Sequence, residues 1–355
     1  MEKNVIVKLL DVNKKFDDVS VIKDFSLDIY EGEFITLLGS SGCGKTTVLR
    51  IISGLEEVTS GKVFIDNKDV TYLDATKREV NTIFQNFALF PKMTVYENIS
   101  FGLQMKKVNK TEIDKRVKNI IKLVKLEGFE NRYPHELSGG QQQRVAIARG
   151  VVMNPKVLLL DESLCSLDLK LKKSMQVELK RIQKELGITF IYVTHAQDEA
   201  LSMSDRIAII NKGVIEQLGT PQEIYLHPST VFVADFIGEA NILDATVLDK
   251  NKDNLKISFM DNVIVDIKTN KEFNKDEKIK IVIRPEDVHV FLDNKKGTIL
   301  GHITDSTYSG DNTKLFININ DKYTLKATTT DFDKFKHGQD IYISFDTDYI
   351  EPLRK

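Results

Sequence analysis

The stretch "LLGSSGCGKTTVLR" at residues 37–50 constrains the fold of this chain more than any other feature of its sequence. Two apolar residues lead into a small, flexible loop, which ends in Gly-Lys-Thr-Thr where a helix is expected to begin. The spacing from Gly39 to Lys45 and Thr46 matches G-x-x-x-x-G-K-[ST], the phosphate-binding loop. Its glycines let successive N–H groups converge on an anion, and the helix dipole adds positive charge. The loop therefore predicts nucleotide binding; a glycine-rich turn that only caps a helix is the alternative.

In the nucleotide interpretation, Lys45 reaches the β- and γ-phosphates as one of the catalytic residues, and Thr46 holds Mg²⁺. The predicted nucleotide contacts of the loop are Gly39, Ser40, Ser41, Gly42, Cys43, Gly44, Lys45, Thr46 and Thr47.

The composition limits what else the chain can be. Its 355 residues suffice for two domains, and its net charge of −2 gives no global attraction to nucleic acid, which we do not expect as a partner. Two cysteines exclude a disulfide framework and suit a reducing compartment. The start "MEKNVIVKLLDV" is a poor signal peptide, and no stretch approaches the roughly 18 apolar residues that span a bilayer. A soluble protein, or one held at a membrane through partners, is expected.

The first two thirds of the chain alternate apolar strands with amphipathic helices. "EFITLLG", "VLLLD" and "ITFIYVTH" are apolar runs typical of buried parallel strands. Residues 111–126 and 169–187 have helical apolar spacing, and a glycine lies at or just beyond the carboxyl end of each range. This pattern predicts an α/β sheet covered on both faces, the fold of a P-loop NTPase.

Past about residue 235, short alternating strands replace the helical pattern. Turn dipeptides such as Asp-Asn separate these strands. They predict a small all-β accessory domain related to the oligonucleotide/oligosaccharide-binding barrels, that is, OB-like. We place the domains at residues 1–238 and 239–355.

Asp161 lies at the carboxyl end of the apolar strand "VLLLD", and Glu162 follows it. A carboxylate at this position can bind Mg²⁺ through water, and its neighbour can polarise an attacking water. Two acids that merely end a strand are the alternative for an isolated pair. Downstream of a phosphate loop, on a strand of the same predicted sheet, the catalytic interpretation is favoured.

Three further elements have ordinary structural interpretations when each is taken alone. In "LSGGQQQRVAIARG", Ser138 either caps a helix or presents, with the next glycines, a second anion-binding helix start. Gln85 in "IFQNFALFP" is an ordinary surface glutamine, and His195 at the end of "YVTH" is a hydrogen-bonded structural residue.

In this order and spacing, these residues resemble the ATPase subunits of ABC transporters, and the resemblance covers essentially the whole chain. "LSGGQ" at residues 137–141 is the family's signature. The resemblance implies a head-to-tail dimer with a second copy of the chain. In that dimer Ser138, Gly139, Gly140 and Gln141 of one copy contact the γ-phosphate bound to the other.

The resemblance also implies roles for single residues. Phe16 in "VNKKFDD" matches the aromatic position that stacks on adenine. Gln85 matches the residue that senses both Mg²⁺ and the membrane partner. The predicted metal-binding residues are thus Thr46, Gln85 and Asp161. Glu162 matches the general base and His195 the γ-phosphate switch. Asp168 in "SLD" matches the loop that communicates across the dimer.

The sequence departs from the family's commonest pattern at four positions. Ser163 stands where proline is usual and Cys165 replaces a small polar residue. Ala196 stands where an acid is frequent, and Gly150 stands where alanine is usual. None of these removes a phosphate-contacting group, so we expect activity to be retained.

The β-rich tail resembles the accessory domain of importer ATPases. "FIGEANIL" and "STYSGDNTKLFI" look most like spermidine/putrescine importer ATPases. This resemblance implies ATP and Mg²⁺ as cofactors, two transmembrane permeases, an extracytoplasmic solute-binding protein, and a peripheral location on the cytoplasmic face of the membrane.

Alternatives remain open at this point. The same architecture serves importers of sugars, iron(III) and other small solutes. A soluble ABC ATPase acting on ribosomes or DNA usually carries two nucleotide domains or a coiled-coil insertion, and a P-loop kinase or GTPase would not need "LSGGQ". In "NFALFPKMTV", the apolar residues Phe87, Leu89, Phe90 and Met93 predict either a buried aromatic turn or a groove for a permease helix.

Overall fold

The computed structural model describes residues 4–162 and 169–354. The chain divides into two compact units, and the boundary in the sequence falls between Pro221 and Gln222. Residues 222–238 therefore belong to the second unit by their contacts. The functional boundary between residues 238 and 239 stays a prediction. Within the described ranges, no helix is long and apolar enough to cross a membrane.

The first unit contains two sheets. Its strands are β1 (Val5–Phe16), β2 (Val19–Tyr30), β3 (Phe34–Leu38), β4 (Ser60–Ile65), β5 (Lys68–Asp69), β6 (Val80–Ile83), β7 (Val157–Asp161), β8 (Thr189–Thr194), β9 (Arg206–Asn211) and β10 (Val214–Gly219). The six-stranded sheet has the order β10-β9-β3-β8-β7-β6, in which only β10 runs antiparallel to its neighbour. The other sheet has the order β2-β1-β4-β5.

Helices pack around the six-stranded sheet. They are α1 (Lys45–Ser53), α2 (Val95–Met105), α3 (Lys110–Leu123), α4 (Gly139–Val151), α5 (Leu169–Leu186) and α6 (Gln197–Met203). Alternate residues of β8 enter two separate cores: Phe190 and Tyr192 enter one, Ile191 and Val193 the other. The sheet is therefore buried on both faces, which explains the continuous apolar runs of its strands and confirms the predicted P-loop NTPase fold.

The order of the strands determines where the predicted site residues lie. The strands β7, β8 and β3 are neighbours and parallel, so their carboxyl ends lie at one edge of the sheet. The residues at those ends are Asp161, Thr194 and Leu38, and the phosphate loop follows Leu38. In open α/β sheets, this edge is where ligands bind.

The second unit is rich in β-strands, as predicted for an OB-like domain. After α7 (Pro221–Leu226) and α8 (Val231–Phe236) come β11 (Asn241–Asn251), β12 (Asn254–Phe259), β13 (Val263–Lys268), β14 (Lys278–Ile283), β15 (Val288–Phe291), β16 (Ile299–Tyr308), β17 (Thr313–Ile319), β18 (Tyr323–Thr329), β19 (Asp340–Phe345) and β20 (Glu351–Arg354). They form two antiparallel sheets, β13-β12-β11-β14-β20 and β15-β19-β16-β17-β18, around one shared core.

A buried arginine explains why α7 and α8 group with this unit. The Arg284 guanidinium follows β14 and donates hydrogen bonds to the carbonyl oxygens of Tyr225 (2.8 Å), Ala234 (3.1 Å) and Ile237 (2.8 Å). It also lies 4.2 Å from the centre of the Tyr225 ring. One buried cation thus binds the carboxyl ends of both helices, where the helix dipole favours positive charge.

Candidate functional site

The phosphate loop joins β3 to α1 with the backbone geometry that its glycines predict. Gly42 and Gly44 have φ of +79° and +107°, which a residue with a Cβ rarely adopts. A Cβ on Gly39 would lie 2.3 Å from the Ile210 carbonyl oxygen and 2.6 Å from Cys43 Sγ. At each of these three positions, a side chain would either strain the backbone or clash with a neighbour, so the local geometry favours glycine.

Lys45 is buried inside the loop. Its Nζ donates to the carbonyl oxygens of Gly39 at 2.8 Å and Ser40 at 2.9 Å, and lies 3.9 Å from Cys43 Sγ. The ammonium charge is thus held at the start of α1 by backbone oxygens rather than by a carboxylate. The Cys43 thiol is buried below the loop, whereas Ser40, Ser41 and Thr46 are exposed.

Thr46 and Asp161 meet at the edge of the sheet. Thr46 Oγ1 donates to Asp161 Oδ1 at 3.3 Å, which links α1 to the end of β7. Burial and the neighbouring charge of Glu162 raise the pKa of Asp161 above its ordinary value, against the opposing effects of the Thr46 hydrogen bond and the Lys45 charge. A hydroxyl and a carboxylate oxygen are the hard donors that Mg²⁺ prefers.

Glu162 lies between the two other predicted site residues. Its Oε2 accepts from Gln85 Nε2 at 3.3 Å, and its Oε1 is 3.2 Å from His195 Nδ1. Its backbone has φ of +42°, and its N–H donates to the Val193 carbonyl at 2.9 Å. A non-glycine residue held in this region costs about 1–3 kcal/mol, and such residues cluster at functional sites. The structure therefore brings together Gln85, Glu162 and His195 from three separate segments.

The "LSGGQ" segment starts α4. Ser138 Oγ accepts from the Gln141 N–H at 3.4 Å, and Gln141 Oε1 accepts from the Ser138 N–H at 2.9 Å, so the predicted helix cap is present. Gly140 packs tightly, because a Cβ there would lie 2.9 Å from Leu171 Cδ1. Among the described residues of this chain, no hydrogen bond joins this segment to the phosphate loop.

Phe16 ends β1 and exposes 43% of its surface. Lys14 Nζ lies 4.6 Å from the centre of its ring, on one face. The hairpin of β1 and β2 reaches the phosphate loop, since a Cβ on Gly44 would lie 2.5 Å from Ile22 Cδ1. Phe16 therefore lies, partly exposed, in the same hairpin whose Ile22 packs against Gly44 of the loop.

The turn after Gln85 is partly core. Phe87 is 7% exposed and belongs to a core cluster, so the interpretation as a buried aromatic turn is right for that residue. Leu89, Phe90 and Met93 are half-buried. Phe87 has φ of +59°, and the next residue, Ala88, has φ of +42°.

Two side chains that the sequence analysis overlooked hold this turn. The Arg149 guanidinium of α4 donates to the carbonyl oxygens of Phe87 at 2.9 Å and Ala88 at 2.8 Å. The Asn98 side chain of α2 is fully buried and accepts from the Phe90 N–H at 2.9 Å. A polar residue on the apolar face of α2 was the available signal for Asn98.

The departures from the family pattern have structural counterparts at two positions. A Cβ on Gly150 would lie 3.0 Å from Leu158 Cδ1, so glycine fits closely there. Ala196 begins α6 without a side-chain cap, and its N–H donates to Thr194 Oγ1 at 3.0 Å. Ser163, Cys165 and Asp168 lie outside the described residues.

Two family models match this chain. The family model "ABC transporter" matches residues 22–164, and the model "TOBE domain" matches residues 281–350. The chain is 52% identical to the spermidine/putrescine import ATP-binding protein PotA of Aggregatibacter actinomycetemcomitans, over 86% of this chain and 83% of the relative. It is 50% identical to the protein of the same name from Haemophilus influenzae, over 87% of this chain and 84% of the relative.

Solved structures of transporter cassettes resemble the first unit. CbiO1 of Clostridium perfringens, part of the ABC transporter complex cbiONQ, has a TM-score of 0.60 and 34% identity, covering 62% of this chain and 91% of that one. A dimeric, post-hydrolysis structure of the ATP-binding cassette MJ0796 bound to ADP and Pi has a TM-score of 0.54 and 36% identity, covering 61% and 99%.

Proposed function

Because the chain belongs to the family of ATP-binding subunits of ABC transporters, and therefore binds and hydrolyses ATP, we propose that it drives the import of polyamines, spermidine and putrescine. The observation that supports this substrate class is identity of 50% and above to two import proteins of that name over most of their length. Importers of sugars, iron(III) or other small solutes are the alternative. The test is stimulation of ATP hydrolysis, in the reconstituted complex, by a binding protein loaded with each solute.

We propose that Glu162 is the general base. Its carboxylate accepts a hydrogen bond from Gln85 and faces His195, so it is fixed at the edge of the sheet where the phosphate loop begins. From there it accepts the proton of the attacking water, while Lys45 and the N–H groups of the loop bind the phosphates. His195 is positioned to contact the γ-phosphate.

The residues at this edge fit Mg²⁺. Thr46 Oγ1, the Asp161 carboxylate and the Gln85 amide oxygen would hold it, and it would neutralise charge on the β- and γ-phosphates. Among the described residues, no cluster of three or more His, Cys, Asp or Glu side chains could hold a metal ion by itself. Mg²⁺ commonly binds one or two protein oxygens together with substrate phosphates, so its binding does not need such a cluster.

We propose a dimer in which each ATP lies between the phosphate loop of one copy and the Ser138–Gln141 segment of the other. Two features support it: the exposed start of α4 has no bond to its own chain's loop among the described residues, and the related cassette MJ0796 is dimeric. Asp168 communicates across this interface.

The partners proposed for the dimer are two permeases and, through them, an extracytoplasmic solute-binding protein, with this chain on the cytoplasmic face of the membrane. The surface after Gln85 suits a permease helix. Leu89, Phe90 and Met93 are half-buried there, and Arg149 and Asn98 fix the backbone of the turn.

Phe16→Ala is expected to weaken ATP binding without removing it, because stacking on one base contributes roughly 1–3 kcal/mol. Titration with a fluorescent ATP analogue measures the change, and Phe16→Tyr is the control that keeps a ring. ATP affinity unchanged in Phe16→Ala would place the adenine contact elsewhere.

A further inference from the structure

A buried carboxylate lies directly behind His195. Glu199 of α6 has no exposed surface, and it accepts hydrogen bonds from the hydroxyls of Tyr192 and of Thr194, the latter at 2.6 Å. Lys172 Nζ lies 2.9 Å from its other oxygen. Burying a carboxylate is costly unless it is paired and hydrogen-bonded, and Tyr192, Thr194 and Lys172 supply these contacts.

Thr194 connects this carboxylate to the backbone around His195. Its side chain is fully buried, its hydroxyl donates to Glu199, and the same oxygen accepts from the Ala196 N–H at 3.0 Å. Thr194 and Ala196 are the two residues that flank His195. The turn that carries the imidazole is therefore held on both sides by one hydroxyl, whose direction Glu199 sets.

The same carboxylate ties this turn to α5. Lys172 is in the first turn of that helix, directly after the segment that contains Asp168, and its Nζ also lies 3.4 Å from Asp198 Oδ2. Burial disfavours the Lys172 ammonium, yet the hydrogen bond and charge of Glu199, with the charge of Asp198, outweigh burial and raise the pKa of Lys172.

We infer that Glu199 and Thr194 are positioning residues for ATP hydrolysis: they fix the His195 turn at the distance from Glu162 that turnover requires, and Lys172 couples that turn to the start of α5. The inference rests on the proposed role of His195 at the γ-phosphate. It assigns a function to a buried polar cluster that the proposed mechanism does not otherwise use.

The test compares two replacements of Thr194, one that keeps its shape and one that keeps its hydroxyl. Thr194→Val removes the hydroxyl and keeps the shape, and Thr194→Ser keeps the hydroxyl. Because a displacement of about 1 Å at a reacting group can cost 10²-fold, we expect Thr194→Val to lower kcat roughly tenfold or more with KM for ATP within about twofold. Thr194→Ser should restore kcat to within about threefold of wild type on the same reasoning.

A second buried carboxylate provides the matched control. Glu33 is 8% exposed and pairs with Arg206 at 2.9 Å, next to the amino end of β3 and so at the opposite edge of the sheet. Glu199→Gln and Glu33→Gln should both lower Tm, but only Glu199→Gln should lower kcat while leaving KM unchanged. If Thr194→Val does not yield folded protein, Glu199→Gln carries the same test.

Two outcomes would overturn the inference and leave the proposed function intact: wild-type kcat in Thr194→Val and Glu199→Gln while His195→Ala is inactive, or an equal loss of kcat in Glu33→Gln. Wild-type kcat in His195→Ala would instead remove the proposed role of His195, and the inference with it.

Discussion

Glu162→Gln is expected to bind ATP as the wild type does while its turnover falls by about 10²- to 10⁴-fold, the usual contribution of a general base. The amide keeps the size of the side chain, and its oxygen still accepts from Gln85, so the site remains assembled. What it loses is the ability to take a proton from the attacking water. ATP-bound dimers should therefore accumulate.

Steady-state hydrolysis and light scattering with ATP measure the two effects. Glu185→Gln is the control, because Glu185 pairs with Arg181 on the exposed end of α5, away from the phosphate loop. Wild-type turnover in Glu162→Gln would remove Glu162 from the role of base, and normal turnover in the control is required for either conclusion.

Lys45→Ala is expected to lose hydrolysis by at least about 10²- to 10³-fold, the scale on which removing one preorganised charge-stabilising donor acts. The Lys45 ammonium is buried among the carbonyl oxygens of the loop, so alanine removes the charge that the loop itself holds. Affinity for ATP should fall as well. Without hydrolysis, the reconstituted importer should show no uptake of labelled spermidine.

Lys23→Ala, at an exposed position on β2, is the control for the loss of one positive charge near the loop. Binding of a fluorescent ATP analogue, hydrolysis and uptake are measured in parallel. If Lys45→Ala bound and hydrolysed ATP like the control, the loop at residues 39–47 would not be the phosphate site.

Asp161 and His195 could be predicted because each stands where an apolar run ends: Asp161 is the last residue of β7, and His195 follows β8. Parallel strands of one sheet bring their ends to one edge, so the proximity of the two residues could be inferred before any distance was known. The glycine spacing of the phosphate loop has a similar local cause, since the left-handed φ values at Gly42 and Gly44 concern each residue alone.

The residues that the sequence did not reveal act through partners that only the fold brings into contact with them. Glu199 reads as one more acid on a short helix, and only the fold brings Lys172 and Tyr192 to it. Arg149 reads as a helix-surface cation, yet it bonds carbonyls about 60 residues earlier in the chain. Such pairings depend on tertiary packing, which apolar periodicity does not specify.

The most direct test of polyamine import is the rate of ATP hydrolysis by this chain with its cognate permeases in liposomes. Binding proteins loaded with different solutes are added in turn to samples of one liposome preparation. A ligand can shift the complex toward its closed state only through differential affinity for that state. We predict slow basal hydrolysis, severalfold acceleration by binding protein loaded with spermidine or putrescine, and no acceleration by empty or sugar-loaded binding protein. Acceleration by a sugar or an iron(III) complex, with polyamines silent, would contradict polyamine import, and activity only on ribosomes or DNA would contradict import altogether.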